Sequence, residues 1–301
     1  MSLTLKKYPY TSKLGWSVSR YDKFKLCQRQ YYYDYYAKNH DNEIDRNELM
    51  QLKELTTIPL EIGNIIHDVI KKILERLKKS NSKIDALKLQ EFSHNLTNEY
   101  CNRKTFSEVF YRELDNIEIE ALKIKVESFI LSFFESERFK WISETAIETA
   151  ENWLIEPEGY GETRINDFKA YCKVDFLFPI EDKIYIIDWK TGKEDEFKHR
   201  KQMLGYTAFA CNHFEKNPEH ITCILYYLKN GTEKILTFSK NEIEEFSYVI
   251  RFETEEMHAM TSSIEQNIPV GKSEFIQTTN PRICKLCNYR RLCFPNGFNI
   301  D

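Results

Sequence analysis

The sequence lacks a long apolar run. Its 301 residues contain no stretch of about 18 uncharged apolar residues, the length that spans a bilayer. The opening thirteen residues, MSLTLKKYPYTSK, lack the apolar segment of a signal peptide. We therefore expect neither membrane insertion nor export, and we predict a cytoplasmic protein. Internal repeats and low-complexity tracts are also missing, and a hydrophobic content of 42% with 14% aromatic residues excludes a disordered chain.

The sequence also lacks a large excess of charge of one sign, with a formal net charge of −4. The charges are nevertheless unevenly distributed. Residues 1–38 carry eight Lys/Arg against two Asp, and residues 280–295 carry four Lys/Arg and no acid. If the two ends meet in space, they form a basic patch beside an acidic body, which is typical of phosphate docking near a carboxylate metal site. A solvated surface without function is the alternative.

Apolar periodicity predicts a mainly helical first half. One short helix is expected within residues 16–36, with Ser17 or Ser19 as its N-cap, and a polar loop over 39–57. An amphipathic helix is expected at 58–79, and helical periodicity continues over 85–140.

The second half is predicted to contain strands, because β-branched and aromatic runs alternate with turn residues. One crossover helix is expected at 197–216, between the third and fourth strands. The expected strands lie within 148–155, 170–178, 183–190, 221–229 and 233–238. The fold class predicted is α/β, with a mixed sheet of β-β-β-α-β order flanked by helices.

Two acids and a lysine on successive predicted strands are the first candidate site residues. Asp175 and Asp188 lie on two strands joined by a short turn, so that their carboxylates can approach each other. Asp188 and Lys190 are two residues apart and therefore point from one face of a strand. Paired carboxylates suit Mg²⁺, and the lysine can serve the attacking water and neutralise charge on a phosphate. A structural Asp–Lys ion pair is the alternative.

Further positions on neighbouring elements extend this candidate site. Gln202 and Tyr206 lie four residues apart on one helix face and could hold a phosphate or a base. His67 lies at the margin of the helix at 58–79, where it is either a nitrogen ligand for a divalent ion or an ordinary edge histidine. Glu148 and Glu151 are equally eligible as a further carboxylate.

The cysteines have the most specific spacing in the sequence. Cys284, Cys287 and Cys293 fall within ten residues, and Cys27 lies in the basic N-terminal segment. Four thiolates suit either a tetrahedral Zn²⁺ ion or a [4Fe–4S] cluster, and the spacing differs from that of paired zinc knuckles. The remaining four cysteines stand singly in apolar or helical segments and are expected to be free core thiols.

Taken in order, these residues resemble the iron–sulfur members of the RecB-like branch of the PD-(D/E)XK nuclease superfamily. Those members include the CRISPR-associated RecB-like exonucleases, the AddB C-terminal nuclease domain and the Dna2-like nucleases. The matching positions, from the N-terminal Ser-x-Ser and aromatic-cysteine pattern to the C-terminal cysteines, are Ser17, Ser19, Phe24, Cys27, Tyr31, Gly63, His67, Asp175, Asp188, Lys190, Gln202, Tyr206, Cys284, Cys287 and Cys293. Gln28 departs from the proline that often follows the first cysteine of this family.

The resemblance implies a restriction-endonuclease-like fold and a single nuclease domain over 1–301. Within it, 1–145 is expected to be mainly helical, 146–240 to hold the core sheet and crossover helix, and 241–301 to hold the C-terminal helix and cluster segment. The chain is then expected to be a DNA nuclease, and more specifically an exonuclease, that acts on DNA with a single-stranded region or end.

The resemblance also assigns roles and partners. His67, Asp175 and Asp188 are expected to bind Mg²⁺ or Mn²⁺, and Lys190, Gln202 and Tyr206 to complete the catalytic site. The four cysteines are expected to hold a [4Fe–4S] cluster, and a helicase or a CRISPR-adaptation protein is an expected partner. The alternatives are a non-catalytic nucleic-acid-binding module of such an assembly and a zinc-stapled protein.

Overall fold

A computed structural model describes residues 3–80, 84–157, 159 and 161–298. The chain forms two compact units. The first unit comprises the described residues of 1–8, 56–165 and 171–246, and the second those of 9–55, 166–170 and 247–301. The prediction of a single domain over 1–301 stays a prediction.

The helices occupy most of the first half of the chain and recur near its end. In chain order the α-helices of the described residues are α1 (Val18–Leu26), α2 (Gln28–Tyr35), α3 (Ala37–His40), α4 (Arg46–Glu54), α5 (Ile58–Lys79), α6 (Ala86–Arg103), α7 (Ser107–Phe110), α8 (Ile119–Phe134), α9 (Glu137–Glu144), α10 (Glu196–Phe214), α11 (Lys240–His258), α12 (Pro281–Lys285) and α13 (Arg290–Cys293).

The strands lie mainly in the first unit. They are β1 (Leu154–Ile155), β2 (Glu162–Ile165), β3 (Phe168–Tyr171), β4 (Phe176–Ile180), β5 (Lys183–Lys190), β6 (Ile221–Tyr227), β7 (Thr232–Leu236), β8 (Thr261–Ser263) and β9 (Ile268–Pro269). The main sheet has the order β1-β4-β5-β6-β7. Strands β5 and β6 are parallel, and the other neighbours are antiparallel. Helix α10 makes the crossover that a parallel pair requires.

Helix α5 shows how the sequence specifies the core of the first unit. The Thr57 side chain caps the helix by accepting a hydrogen bond from the Leu60 N–H, and Pro59 stands in the first turn, where its missing N–H has no effect. The apolar stripe of α5 is fully buried. It packs with α8, α9 and one face of β4, β5 and β6 in a single cluster of apolar side chains. This packing holds α5 beside the strands that carry the candidate acids.

Several predictions of local structure are confirmed. The helix at 58–79 is α5, the crossover helix is α10, and the strands expected at 183–190, 221–229 and 233–238 are β5, β6 and β7. The helical periodicity over 85–140 corresponds to α6, α7, α8 and α9. The predicted α/β class with a mixed sheet is likewise confirmed.

Four predictions of local structure are wrong. The strand expected at 170–178 is divided, because β3 ends at Tyr171 and β4 begins at Phe176, so Asp175 lies just before β4 and not within a strand. The polar segment 39–57 contains α4, because Asp45 caps a helix by accepting from the Glu48 N–H at 2.8 Å. The single helix expected in 16–36 is two helices, since Cys27 has an extended backbone with φ of −163°. The strand expected at 148–155 is mostly a 3₁₀-helix, Ala146–Asn152, followed by the two residues of β1.

Within the described part of the chain, no helix is both long enough and apolar enough to cross a membrane.

Candidate active site and cysteine pocket

The two candidate aspartates converge in a cleft of the first unit, because the register of β4 and β5 sets them side by side. Phe176 pairs with Ile187 in this antiparallel ladder. Asp175 therefore stands opposite Asp188, one residue beyond the last pair. The Asp175 Oδ2 atom accepts a hydrogen bond from the Trp189 N–H at 3.1 Å. Both carboxylates line the same cleft, as the sequence predicted.

Helix α5 brings His67 to these carboxylates. A Cβ on Gly63 would lie 3.2 Å from Thr191 Oγ1, so glycine permits a close approach of α5 to the end of β5. One turn later, His67 Nδ1 lies 3.5 Å from Asp175 Oδ2, and its Nε2 lies 3.1 Å from the Trp189 carbonyl oxygen. The spacing of Gly63 and His67 is thus explained by the contact between the helix and the strand.

Asp188 is almost fully buried, with 1% of its surface exposed, and α10 surrounds it with donors. Gln202 Nε2 donates to Asp188 Oδ1 at 3.1 Å, and the Tyr206 hydroxyl lies 3.1 Å from the same atom and 2.7 Å from the Lys173 carbonyl. Lys190 Nζ donates to Gln202 Oε1 at 2.7 Å and lies 2.6 Å from Asp188 Oδ2. That contact is a close ion pair between the lysine and the buried acid.

These contacts show how Gln202 and Tyr206 are held, and their expected role in holding a phosphate or a base stays a prediction. The sequence pattern suggested that they hold a phosphate or a base, whereas both side chains are engaged with Asp188 and Lys190. Through these contacts they position the acid and the lysine.

The two acids differ in acidity because their surroundings differ. Burial and the neighbouring Asp175 charge raise the pKa of Asp188 to about 6, against the opposing effect of Lys190. Burial also acts to raise the pKa of Asp175, but the charge of His67 and its hydrogen bond outweigh burial and lower it. For His67, burial favours the neutral ring, yet Asp175 and the other acids raise its pKa to about 9. At neutral pH Asp175 and His67 thus form an ion pair.

The second unit contains a pocket lined by all four candidate cysteines, Cys27, Cys284, Cys287 and Cys293. Cys27 stands at the break between α1 and α2, and its Sγ accepts a hydrogen bond from the Thr278 N–H at 3.4 Å. The predicted meeting of the basic N-terminal and C-terminal segments is thus observed within this unit.

Three thiols of this pocket favour their protonated, neutral form. Burial raises the pKa of the Cys287 thiol to about 12, and it raises those of Cys284 and Cys293 as well, with the other cysteines adding to the effect. The sulfur contacts are long: Cys284 Sγ lies 3.8 Å from the Thr278 carbonyl oxygen, and Cys293 Sγ lies 4.0 Å from the Tyr33 hydroxyl. A strong Lewis acid is what would convert such thiols to thiolates.

A family model described as the PD-(D/E)XK nuclease superfamily matches residues 15–294, which is nearly the whole chain. The chain belongs to the PD-(D/E)XK nuclease superfamily. Membership makes it a hydrolase that acts on nucleic acid, and the mixed sheet with its flanking helices agrees with the restriction-endonuclease-like fold of this superfamily.

Individual relatives are more distant. Over 263 residues the chain is 25% identical to the RecBCD enzyme subunit RecB of Borreliella burgdorferi. This match covers 81% of the chain and 20% of that subunit, so the chain spans about a fifth of the length of the curated relative it matches. A solved structure described as "Crystal structure of SSO0001" shares 16% identity and a TM-score of 0.31, with coverage of 62% of this chain and 77% of that one. A similarity at that level does not support a conclusion about fold or function.

The residues of this PD-(D/E)XK nuclease fit a divalent cation in their donor chemistry. Members of the superfamily commonly use Mg²⁺ or Mn²⁺, and Mg²⁺ needs only one or two carboxylates because it retains several waters. Asp175 and Asp188 supply these, since both carboxylates line the same cleft. Within residues 3–80, 84–157, 159 and 161–298, no three His, Cys, Asp or Glu side chains are grouped as a complete ligand set.

Three acids that line the cleft, Glu61, Asp68 and Glu156, were missed by the sequence analysis, and Glu156 lies nearest to Asp175 along the backbone contacts. Glu156 lines the cleft, its N–H donates to the Asp175 carbonyl at 2.8 Å, and its carboxylate lies 3.4 Å from Lys71 Nζ. Its φ of 38° is unusual for a residue with a side chain and is held by these contacts. Glu148 and Glu151, the residues considered from the sequence, are exposed on the 3₁₀-helix instead. The left-handed backbone at 156 leaves no signal in the composition of the segment.

Proposed function

We propose that this chain is a Mg²⁺- or Mn²⁺-dependent deoxyribonuclease that degrades DNA from its ends. The observation that carries the proposal is the convergence of Asp175, Asp188 and Lys190 with His67 in one cleft. The family match supports a nuclease, and the similarity to a RecB subunit supports DNA as the nucleic acid.

The acids and the histidine are the proposed metal ligands. Asp175 and Asp188 would hold the cation, and His67 would contribute a nitrogen once its proton is displaced, since Asp175 favours the protonated ring. When bound, the cation supplies charge neutralisation at the phosphate and lowers the pKa of a water molecule.

The lysine and its neighbours provide the remaining functions. Lys190, held by Gln202, stands where it can orient the attacking water and stabilise negative charge on the phosphate. Tyr206 and Gln202 keep the Asp188 carboxylate fixed, so the acid does not need to reorganise when the substrate binds. The reaction adds water to phosphorus and breaks the bond to the leaving sugar oxygen, which receives a proton.

Lysines at the margin of the cleft support a nucleic-acid substrate. Lys104, Lys173 and Lys198 line the cleft together with the acids. Cations beside a carboxylate centre attract a phosphate backbone, and this attraction weakens with salt. We propose a DNA strand or a single-stranded end as the occupant.

We further propose that Cys27, Cys284, Cys287 and Cys293 hold a [4Fe–4S] cluster. Support comes from the meeting of four thiols from the two ends of the chain in one pocket, together with the spacing of the C-terminal trio. When bound, the cluster supplies covalent links between distant segments. A zinc ion would supply similar links, so the metal must be identified directly.

A partner protein is the last element of this proposal. The RecB relative is named as a subunit of a larger enzyme, and this chain matches only a fifth or so of it. We propose that the chain works with a helicase-type or CRISPR-adaptation partner, as the sequence resemblance implies.

An assay on end-labelled DNA tests the nuclease. Single-stranded, double-stranded and overhang substrates would be incubated with Mg²⁺, Mn²⁺ or chelator, with the Asp188→Asn variant purified in parallel. We expect metal-dependent cleavage that proceeds from ends and that the variant lacks. Equal activity in the variant, or no cleavage of any DNA by the wild type, would contradict the proposal, and the latter result would favour a binding module.

Metal analysis tests the cluster separately. Anaerobically purified protein should be brown and contain about four irons per chain, the content of a cube. One zinc and no iron would reject the iron–sulfur assignment and retain a metal link.

A further inference from the structure

Helices α5 and α6 of the first unit border a groove of about 280 Å³ that shares no lining residue with the cleft. Apolar side chains line it from both sides. Ile73 of α5 and Leu89 of α6 are 3% and 6% exposed, and Ile84 is half-buried. Phe92 lines the same groove with 38% of its surface exposed. The groove therefore combines a packed apolar base with an aromatic ring that a ligand can reach.

Three cations line the same groove. Lys72 and Arg76 lie one turn apart on α5, and Lys88 lies in the first turn of α6. Among the described residues of the lining, Asp85 is the one acid, and its carboxylate caps α6 by accepting two backbone N–H groups of the first turn. Lys72 pairs with Glu75 at 2.7 Å, but the lysine is 57% exposed, and such surface pairs contribute little. The rim of the groove is thus positively charged.

The groove lies close to the cleft along α5. Asp68, Lys72 and Arg76 follow one another at intervals of four residues, so they share one side of the helix. Asp68 lines the cleft, whereas Lys72 and Arg76 line the groove. The rise from Asp68 to Lys72 is about 6 Å along the helix axis. A ligand in the groove would therefore stand about one helical turn from the cleft.

Apolar surface and positive charge together select the ligand. A nucleic-acid base in the groove would turn its polar edges towards apolar side chains, which costs free energy. A strand that ran there from the cleft would also pass the Asp68 carboxylate, which repels phosphate. A leucine or phenylalanine side chain has no polar edge to desolvate, and neighbouring acids would be attracted by the cationic rim. The groove therefore suits an acidic protein segment better than DNA.

We propose that this groove is the docking site for an acidic segment of a partner protein. One large apolar side chain of that segment would insert beside Phe92, and flanking Asp or Glu residues would pair with Lys72, Arg76 and Lys88. An amphipathic helix is a usual form in which a partner presents such side chains to a groove. The role of the docking rests on the proposed function, since a partner held beside the cleft would present a DNA end to it. The docking itself requires neither metal nor cleavage.

A designed peptide tests the groove. The probe is a fluorescein-labelled peptide of about sixteen residues, rich in glutamate, with leucine and phenylalanine at helical spacing. The full chain would be titrated into it with chelator present, and binding followed by fluorescence anisotropy. Two control peptides carry lysine in place of glutamate, or alanine in place of leucine and phenylalanine. We expect the probe to bind about 10-fold or more tightly than either control, and less tightly as salt rises. Binding no tighter than the controls would overturn the proposal.

Matched variants locate the binding. Phe92→Ala and Lys88→Glu should each weaken binding of the probe by about 10-fold at low salt. Leu87→Ala removes a 76% exposed apolar side chain from the same helix, outside the groove lining. Lys125→Glu makes the same charge change at an exposed position of α8. If Phe92→Ala weakens binding no more than Leu87→Ala, or Lys88→Glu no more than Lys125→Glu, the proposal fails.

Photocrosslinking of the wild type keeps the test independent of how the variants fold. A probe with benzoylphenylalanine at its central apolar position should crosslink to residues of α5 and α6 that line the groove, as identified by mass spectrometry. Crosslinks confined to other parts of the chain would contradict the docking site.

A labelled oligothymidylate separates a protein partner from DNA. Phe92→Ala should weaken binding of the peptide more than binding of the oligonucleotide to the metal-free protein. The opposite order would assign the groove to DNA and overturn the proposal. Protein that cleaves no DNA yet binds the peptide through Phe92 would refute the proposed function and leave the docking site. Cleavage of DNA without peptide binding would do the reverse.

Discussion

The acidic cleft and the cysteine pocket organise their chemical groups in different ways. In the cleft, the charges around Asp175 and Asp188 are met by side chains of this chain, at distances of 2.6–3.5 Å. In the cysteine pocket, the sulfur atoms have contacts of 3.4–4.0 Å, and burial raises the pKa values of Cys284, Cys287 and Cys293. The acids of the cleft are therefore held by short contacts with the protein, whereas the cysteine sulfurs are held by longer and weaker ones.

This difference predicts how each region responds to loss of its bound ion. The cleft is expected to keep its geometry without metal, because α5 and β5 share one apolar core and α10 buries many of its own side chains. The cysteine pocket is expected to loosen, because the contacts of its sulfur atoms with the protein are long. Substitutions in the cleft should consequently affect the reaction, and substitutions in the pocket should affect stability.

The largest expected effect is on activity in the cleft. Asp188→Asn and Lys190→Met should each reduce cleavage by about 10²–10⁴-fold, because they remove a metal ligand and a group that stabilises charge. Both should retain the circular dichroism spectrum and the iron content of the wild type. Asp182→Asn, on the exposed turn between β4 and β5, is the control and should cleave normally. Loss of iron from either cleft variant would contradict the proposal that substitutions in the cleft affect only the reaction.

The next effect is on stability in the cysteine pocket. Cys27→Ser should lose the metal and melt lower by several degrees, since a link between the N-terminal and C-terminal segments closes a very long loop. Each kcal/mol lost corresponds to roughly 2–4 °C for a chain of this size. The half-buried Cys101, outside the pocket, provides a Cys101→Ser control that should keep both iron and melting temperature. Identical melting temperatures of the two variants would show that the pocket does not link the N-terminal and C-terminal segments.

Sequence patterns predicted the features that depend on local spacing. The pairs Asp188 with Lys190 and Gln202 with Tyr206 lie on one strand and one helix, whose periods of two and 3.6 residues fix the faces of their side chains. The long apolar stripe of α5 and the crossover helix between two apolar strands were predicted from the sequence in the same way.

Features that depend on tertiary contacts could not be predicted. Glu156 enters the cleft through a left-handed backbone held by Asp175 and Lys71. The engagement of Gln202 and Tyr206 with Asp188 likewise follows from the packing of α10 against β6, the neighbour of β5 in the sheet.

Substitution of Glu156 is expected to have a smaller effect on cleavage and tests whether this acid supports the metal site. Its charge favours protonated His67 and neighbours Lys71. Glu156→Gln should reduce cleavage by roughly 10-fold and raise the Mn²⁺ concentration needed for half-maximal rate, as removal of a supporting carboxylate does. Glu151→Gln, at the exposed residue considered from sequence, is the control. If Glu151→Gln has the larger effect, the sequence-based candidate was the better one.

The smallest expected effect is a pH dependence of stability that originates at the cleft. His199 lines the cleft and is 8% exposed. The Tyr227 hydroxyl donates to its Nδ1 at 2.9 Å, and the Asp195 N–H lies 3.4 Å from the same atom. A proton on Nδ1 would break the contact with the Asp195 N–H and would reverse the direction of the hydrogen bond with the Tyr227 hydroxyl. Burial, followed by the charge of Lys190, lowers the pKa of His199 to about 4.

Because the pKa of His199 is lower in the folded protein, the unfolded chain takes up a proton that the folded chain refuses. The resulting stability is fully present above pH 6.5 and is lost as the pH falls towards 4. Urea unfolding at pH 7, 6, 5 and 4 should therefore show that the wild type loses roughly 1–3 kcal/mol more than His199→Gln. His220→Gln, at an exposed ion pair with Asp182, is the control and should follow the wild type. If the free energies of unfolding of the wild type and His199→Gln fall in parallel with pH, the buried neutral histidine does not contribute to the acid sensitivity of stability.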